Sequence, residues 1–127
     1  MIHWICGKVN AGKTTFSYKL KREIKNPSVI LDGDSIRYAT NNNDYSYEGI
    51  KKAHINIIRL VDIFEKQGFD VIVAIVSPYK DIRKQILKDR MHDLYYVHGG
   101  KMVHGIPFEE PLDDERPIIV PDWRKIK

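Results

Sequence analysis

The chain has 127 residues, 43% of them hydrophobic and 30% charged, with a formal net charge of +4. These proportions suit a folded globular protein rather than a disordered one, and the length holds one sheet with covering helices but no second core, so a single domain is expected over residues 1–127. The longest apolar run, Val71 to Val76, is too short to span a bilayer. No basic-then-apolar leader opens the chain, and the single cysteine, Cys6, allows no internal disulfide, so a cytoplasmic protein without membrane contact is expected.

Ile2 to Cys6 reads as a short buried strand, and Phe16, Leu20 and Ile24, spaced by four, mark a first helix. Between them lies Gly7-Lys8-Val9-Asn10-Ala11-Gly12-Lys13-Thr14-Thr15. Its G-x-x-x-x-G-K-T spacing is that of a phosphate-binding loop between a strand and a helix. Gly7 and Gly12 permit close backbone approach, and successive N–H groups with the helix N-terminus make an anion cradle. Lys13 can reach the β- and γ-phosphates, and the Thr14 hydroxyl can ligate Mg²⁺. Gly7, Asn10, Ala11, Gly12, Lys13, Thr14 and Thr15 are therefore the expected ATP and Mg²⁺ site. Residues 1–27 hold six Lys/Arg and one Glu, a local net of +5, which a polyanionic nucleotide explains more simply than a nucleic acid.

Asn26-Pro27 marks a turn, and Ser28 to Leu31 reads as a second strand ending at Asp32-Gly33-Asp34. Two carboxylates at a strand end near a phosphate loop suit phosphoryl transfer, with Asp32 as metal support and Asp34 as base or acceptor anchor. Turn chemistry is the plainer explanation of the tripeptide, with Asp34 capping a helix that begins at Ser35. Beside the phosphate loop the chemical reading is preferred. Arg37, on the first turn of that helix, could grip an acceptor anion.

Tyr47 to about Gln67 is the longest helical pattern, with a stripe of Ile50, Ala53, Ile57, Val61 and Phe64 and a stop at Gly68. Val71 to Val76 lacks alternation, as a strand buried on both faces does. Ser77-Pro78 ends it and starts another helix with Pro78 in the first turn. Leu94 to Val97 and Ile118 to Val120 read as last strands. Alternating strands and helices imply a three-layer α/β domain with an open, mainly parallel sheet of about five strands. Its ligands would sit at the carboxyl edge, where the phosphate loop, Asp32–Asp34 and Ser77-Pro78 should meet. The histidines show no metal-ligand spacing; His54 reads as a satisfied core histidine, while His98 and His104 could touch phosphate. Tyr79 and Phe108 could stack on a base or pack on the core. Glu109 to Glu115 reads as a solvated tail kept extended by Pro111 and Pro117, and Trp123 to Lys127 carries no chemical signal.

In this order, Gly7–Thr15, Leu31-Asp32-Gly33-Asp34-Ser35-Ile36-Arg37 and Ile75-Val76-Ser77-Pro78-Tyr79-Lys80 with Arg83 resemble three elements of the adenylylsulfate kinase family: its phosphate loop, its LDGDxxR and its SPY[RK]xxR. Gly105-Ile106 and Pro107-Phe108-Glu109-Glu110-Pro111 resemble the family's terminal G-I and P-[YF]-E-x-P signature. The resemblance touches almost the whole chain. It implies a P-loop NTPase-type fold and a kinase that phosphorylates a nucleotide-like hydroxyl with Mg·ATP. In that family the acceptor is the 3′-hydroxyl of adenosine 5′-phosphosulfate.

Two departures stand out. The family holds its acceptor with an Arg and an Asn-Ile-Arg-Arg run on the long helix. Counting back from Gly68 puts Ala53-His54-Ile55-Asn56 at that run and Ile50 or Lys51 near the Arg, with Lys52 and Arg59 also close. The family's arginine-rich lid is mostly missing: Tyr96-Val97-His98 runs almost directly into Gly99-Gly100-Lys101. The expected function is ATP-dependent phosphoryl transfer to an anionic, nucleotide-like small molecule. Lys13, Asp32 and Asp34 would be catalytic, Thr14 and Asp32 would hold the metal, and Arg37, Ser77, Pro78 and Tyr79 would bind the acceptor. A homodimer is compatible with this reading. A lid-less ATP-binding module or regulatory subunit is the alternative, and a simple GTPase or ATPase switch a more distant one.

Overall fold

A computed structural model describes residues 1–121; the terminal run from Trp123 to Lys127 lies outside the described residues. The strands are β1 (Ile2–Cys6), β2 (Ser28–Asp32), β3 (Asp70–Ala74), β4 (His92–Val97) and β5 (Ile118–Val120). The α-helices are α1 (Lys13–Glu23), α2 (Gly33–Thr40), α3 (Tyr47–Lys66) and α4 (Lys80–Leu87). The five strands form one sheet in the order β2-β3-β1-β4-β5, every neighbour parallel. The register sets Ile5 beside Ala74, Asp32 beside Ala74, and Cys6 beside Tyr96, so the strands end together at one edge.

Alternation within the central strands builds the three layers. Ile2, Trp4 and Cys6 of β1, with Val71 and Val73 of β3, face Ile57 and Val61 of α3. Ile5, Ile72 and Ala74 face the other way, onto Phe16 and Leu20 of α1. This is the two-sided burial expected of Val71–Val76, and it holds each helix through side chains worth about 1.5–3 kcal/mol apiece on full burial. Ile50, Ala53, Ile57 and Val61 of the α3 stripe are buried as its spacing predicts, and Phe64 is partly buried against the same core. Ser46 caps that helix by accepting from the Gly49 amide at 3.2 Å, and Gly68, at φ +90, follows its end.

Several boundaries differ from expectation. Ile75 and Val76 leave the ladder: β1 turns away at Gly7, so Ile75 N–H reaches Ile5 O and the Gly7 amide turns back to Val76 O. Pro78 lies outside α4, because Ser77 adopts a left-handed conformation (φ +51) and the helix starts only at Lys80, after Tyr79. The helix after β2 begins at Gly33, and its cap is Asp32, not Asp34: Asp32 Oδ2 accepts from Ser35 N–H at 3.2 Å. Arg37 therefore sits in the second turn rather than the first.

The acidic segment Glu109 to Glu115 is largely solvated, as expected, but it is tied to the domain rather than a free tail. Arg83, fully buried, donates through Nε and Nη2 to both carboxylate oxygens of Glu115, at 2.9 and 3.1 Å. The same guanidinium donates to the carbonyls of Ser77 and Glu109, each at 2.7 Å. Asp114 bridges Lys80 and Lys84, and Tyr96 donates its hydroxyl to Glu110 at 3.0 Å. A short 3-10 helix, Asp113–Glu115, places Glu115 for this role.

Candidate active site

The phosphate loop joins β1 to α1 as its spacing requires. A side chain at Gly7 would lie 2.7 Å from the Val97 carbonyl oxygen, so only glycine fits there. Gly12 takes φ +102 at the N-cap of α1. That helix begins with no side-chain cap and no acidic residue in its first turn, whereas α2, α3 and α4 carry Asp34, Glu48 and Asp81 there. Uncapped N–H groups and an unneutralised positive helix end form a fitting seat for phosphate. Lys13 Nζ donates to the Lys8 carbonyl at 2.7 Å, and burial lowers its pKa to about 8. Neighbouring Cys6 and Asp34 oppose that shift, which puts the Asp34 carboxylate within electrostatic reach of the lysine. The Cys6 thiol is pushed up to about 12 by burial and is chemically quiet.

Two cavities open at this edge. The first, about 380 Å³, is lined by Asn10, Gly12, Lys13, Thr14 and Thr15 of the loop together with Asp32 and Asp34. The second, about 290 Å³, lies between α2, α3, the Ser77-Pro78 turn and the segment from Met102 to Ile106. Both include Val9, Gly33, Asp34, Ile75 and Val76, so they share a wall. Asp34, in the first turn of α2 and exposed, is the one acid in that wall among the described residues.

Among the other expected site residues, Arg37, Ser77 and Pro78 line the second cavity. Arg37 is partly committed: Nη1 donates to the carbonyls of Asn42 and Asp44, each at 3.2 Å, and the guanidinium lies 4.2 Å from the Tyr45 ring centre. Ser77 is buried, and its hydroxyl accepts from Trp4 Nε1 at 3.3 Å. It also bonds His54 Nε2 at 2.9 Å. Because His54 Nδ1 meets the Ile50 carbonyl, it must carry the ring proton, and Ser77 donates to Nε2. His54 is thus the satisfied core histidine expected, held neutral with its pKa lowered to about 4 by burial. Tyr79 lines neither cavity; it packs edge-on against Tyr47 at 5.0 Å. Phe108, partly buried, stacks on Tyr96 and packs against the core. His104 stacks on Tyr45 at 4.4 Å and lines the second cavity, not the phosphate cavity, while His98 leans on Tyr96.

Sequence reasoning missed a strap beside the phosphate loop. Val9 and Lys101 exchange both backbone hydrogen bonds, at 3.1 and 3.0 Å, tying residues 99–106 to the phosphate loop. Gly100 approaches Val9 so closely that a Cβ would lie 2.3 Å from its carbonyl oxygen. The Gly99-Gly100 pair was the only local hint.

Residues 1–103 match the family model for adenylylsulphate kinase. The chain belongs to the adenylylsulphate kinase family. A probable adenylyl-sulfate kinase of Pyrococcus abyssi is 33% identical over 90 residues, covering 68% of this chain and 52% of that protein. The adenylyl-sulfate kinase of Bacillus licheniformis is 30% identical over 102 residues, covering 74% and 52%. The chain thus spans about half the length of these relatives. The Mycobacterium tuberculosis APS kinase, solved with AMPPNP and APS, superposes with a TM-score of 0.69 at 18% identity, covering 76% of this chain and 61% of that one. At that identity the likeness shows the shared P-loop fold. The adenylylsulphate kinase match ends at residue 103, within the strap, so the contacts of Arg83 to Glu109 and Glu115 lie partly beyond it.

Proposed function

We propose that this chain transfers the γ-phosphate of Mg·ATP to a hydroxyl of a small-molecule acceptor, as its family membership suggests. The observation that carries the reading is the shared wall: the phosphate cavity and the second cavity meet at Asp34. The loop amides and Lys13 hold the triphosphate, and the charge on Lys13 draws the terminal phosphate to this wall. Asp34 accepts the proton of an acceptor hydroxyl lodged in the second cavity. The Ser77-Pro78 turn, fixed from beneath by Trp4, His54 and Arg83, shapes that cavity rather than touching the reacting atoms.

Mg²⁺ fits the Thr14 hydroxyl and the Asp32 carboxylate, which line the phosphate cavity together. Bound there, the ion would neutralise charge on the phosphates. Among the described residues no group of three His, Cys, Asp or Glu side chains gathers to hold a metal alone, and an ion on these two groups would take its other ligands from phosphate oxygens and water.

One observation favours a second reading, an ATP-binding module with little turnover. Lys13 is the only Lys or Arg lining the phosphate cavity among the described residues. Lids normally bring further charge and exclude water. Radiolabelled ATP offered with a panel of nucleotides, nucleosides and sugars separates the two: label in an acceptor supports the kinase, label only in inorganic phosphate marks a hydrolase, and bound but unreacted ATP marks the module.

A further inference from the structure

The second cavity has an unexpected charge inventory. The face that α3 turns to it consists of Ile50, Ala53, His54 and Ile57. The cations of that helix, Lys51, Lys52, Arg59 and Lys66, do not line it. His54 adds no charge, since both ring nitrogens are used in its neutral network. The strap adds Met102, Val103 and Ile106, and its His104 is stacked flat on Tyr45. Among the described residues, Arg37 is the only arginine or lysine in the lining, and one of its amino groups already serves the Asn42–Asp44 loop. Against it stands the carboxylate of Asp34.

From this wall we infer that the acceptor is a hydroxyl compound with an apolar body and at most one anionic group, not a nucleoside carrying a phosphosulfate. The inference rests on the reading of this cavity as the acceptor site. A multiply charged acceptor entering it would exchange hydration for isoleucine, methionine and proline side chains, a transfer that is costly without matching cations. It would also lie beside Asp34, where like charge repels. Arg37 suffices for a single anionic group; an uncharged ring system bearing a hydroxyl needs only the apolar walls, with its hydroxyl directed to Asp34. The anionic nucleotide-like acceptor expected from sequence fits the cavity less well for this reason.

Calorimetry on the full chain, saturated with Mg²⁺ and a non-hydrolysable ATP analogue, tests the inference with three acceptor probes: adenosine, AMP and adenosine 5′-phosphosulfate. Adenosine and AMP should each bind at least tenfold more tightly than the phosphosulfate. Phosphosulfate binding as tight as or tighter than that of adenosine or AMP overturns the inference while leaving phosphotransfer standing. If no probe binds, cationic variants decide. Ile50→Arg places charge on the α3 face, and Met102→Arg places it on the strap, where folding is less at risk. A gain of tenfold or more in phosphosulfate affinity in either variant supports the charge-poor cavity; no gain in both, with the fold intact by circular dichroism, overturns it. Failure of the ATP analogue itself to bind is seen before any acceptor is added, and removes the phosphotransfer reading and this inference together.

Discussion

Lys13 shows how burial prepares a residue for a ligand it has to meet. Its ammonium sits in a partly desolvated pocket against the Lys8 carbonyl, which lowers its pKa from 10.5 to about 8. The charged form needed for phosphate is therefore lost as pH rises through about 8. ATP affinity, measured by calorimetry between pH 6.5 and 9.5, should weaken through that window. In Lys13→Arg the guanidinium stays charged throughout, so the same decline should vanish. Lys13→Ala should weaken ATP at least tenfold, since a charge-assisted hydrogen bond is worth roughly 1.5–3 kcal/mol. Equal ATP affinity in wild type and Lys13→Ala would remove the lysine from the site.

His54 carries the opposite kind of chemistry. Burial lowers its pKa from 6.5 to about 4, so the folded protein binds fewer protons than the unfolded chain between those values. Stability should then fall as pH drops from about 6.5 toward 4, by up to roughly 3 kcal/mol. Urea unfolding across this range should show the loss in wild type and a smaller one in His54→Gln. A wild-type profile flat down to pH 4.5 would mean that His54 is not held neutral by its network.

At the scale of elements, a buried ion pair braces α4 against the C-terminal segment. Arg83 and Glu115 are 32 residues apart in sequence, and both side chains are almost wholly removed from water. Breaking such a pair leaves an uncompensated buried charge, so Glu115→Ala should cost about 3–5 kcal/mol. Replacing both, as Arg83→Met with Glu115→Leu, should cost less than either single change, because no charge is then stranded. Chemical denaturation of the three variants checks this, and additive losses would show that the pair is not a unit.

The same contrast explains what the sequence reveals and what it hides. The phosphate loop is legible because its chemistry lies in consecutive residues, and β3 and α3 are legible because burial imposes a period. The brace is hidden because an acidic run after Pro107 looks solvated until the topology brings Arg83 beneath it. The Asp32 cap is missed by two residues because Gly33 looks like a turn, yet it opens the helix. The Val9–Lys101 strap joins positions far apart in the chain, and no local pattern announces it. The placement of Tyr79 outside both cavities likewise depends on Ser77 turning left-handed, which a serine rarely does.

For the molecule as a whole, a five-stranded parallel sheet brings three loops and one strap to a single edge. Residues 99–106 reach that edge as a strap bonded directly to the phosphate loop. No described helix is long and apolar enough to cross a membrane. The central claim is that Asp34 joins ATP to an acceptor across the wall shared by the two cavities. The most direct measurement follows labelled γ-phosphate into acceptor and, in parallel, ATP binding, for wild type and Asp34→Asn. Transfer should fall by about 10²–10⁴-fold, the usual contribution of a general base, while ATP binds with nearly unchanged affinity. Equal transfer by the two proteins, or loss of ATP binding together with transfer, would contradict the account.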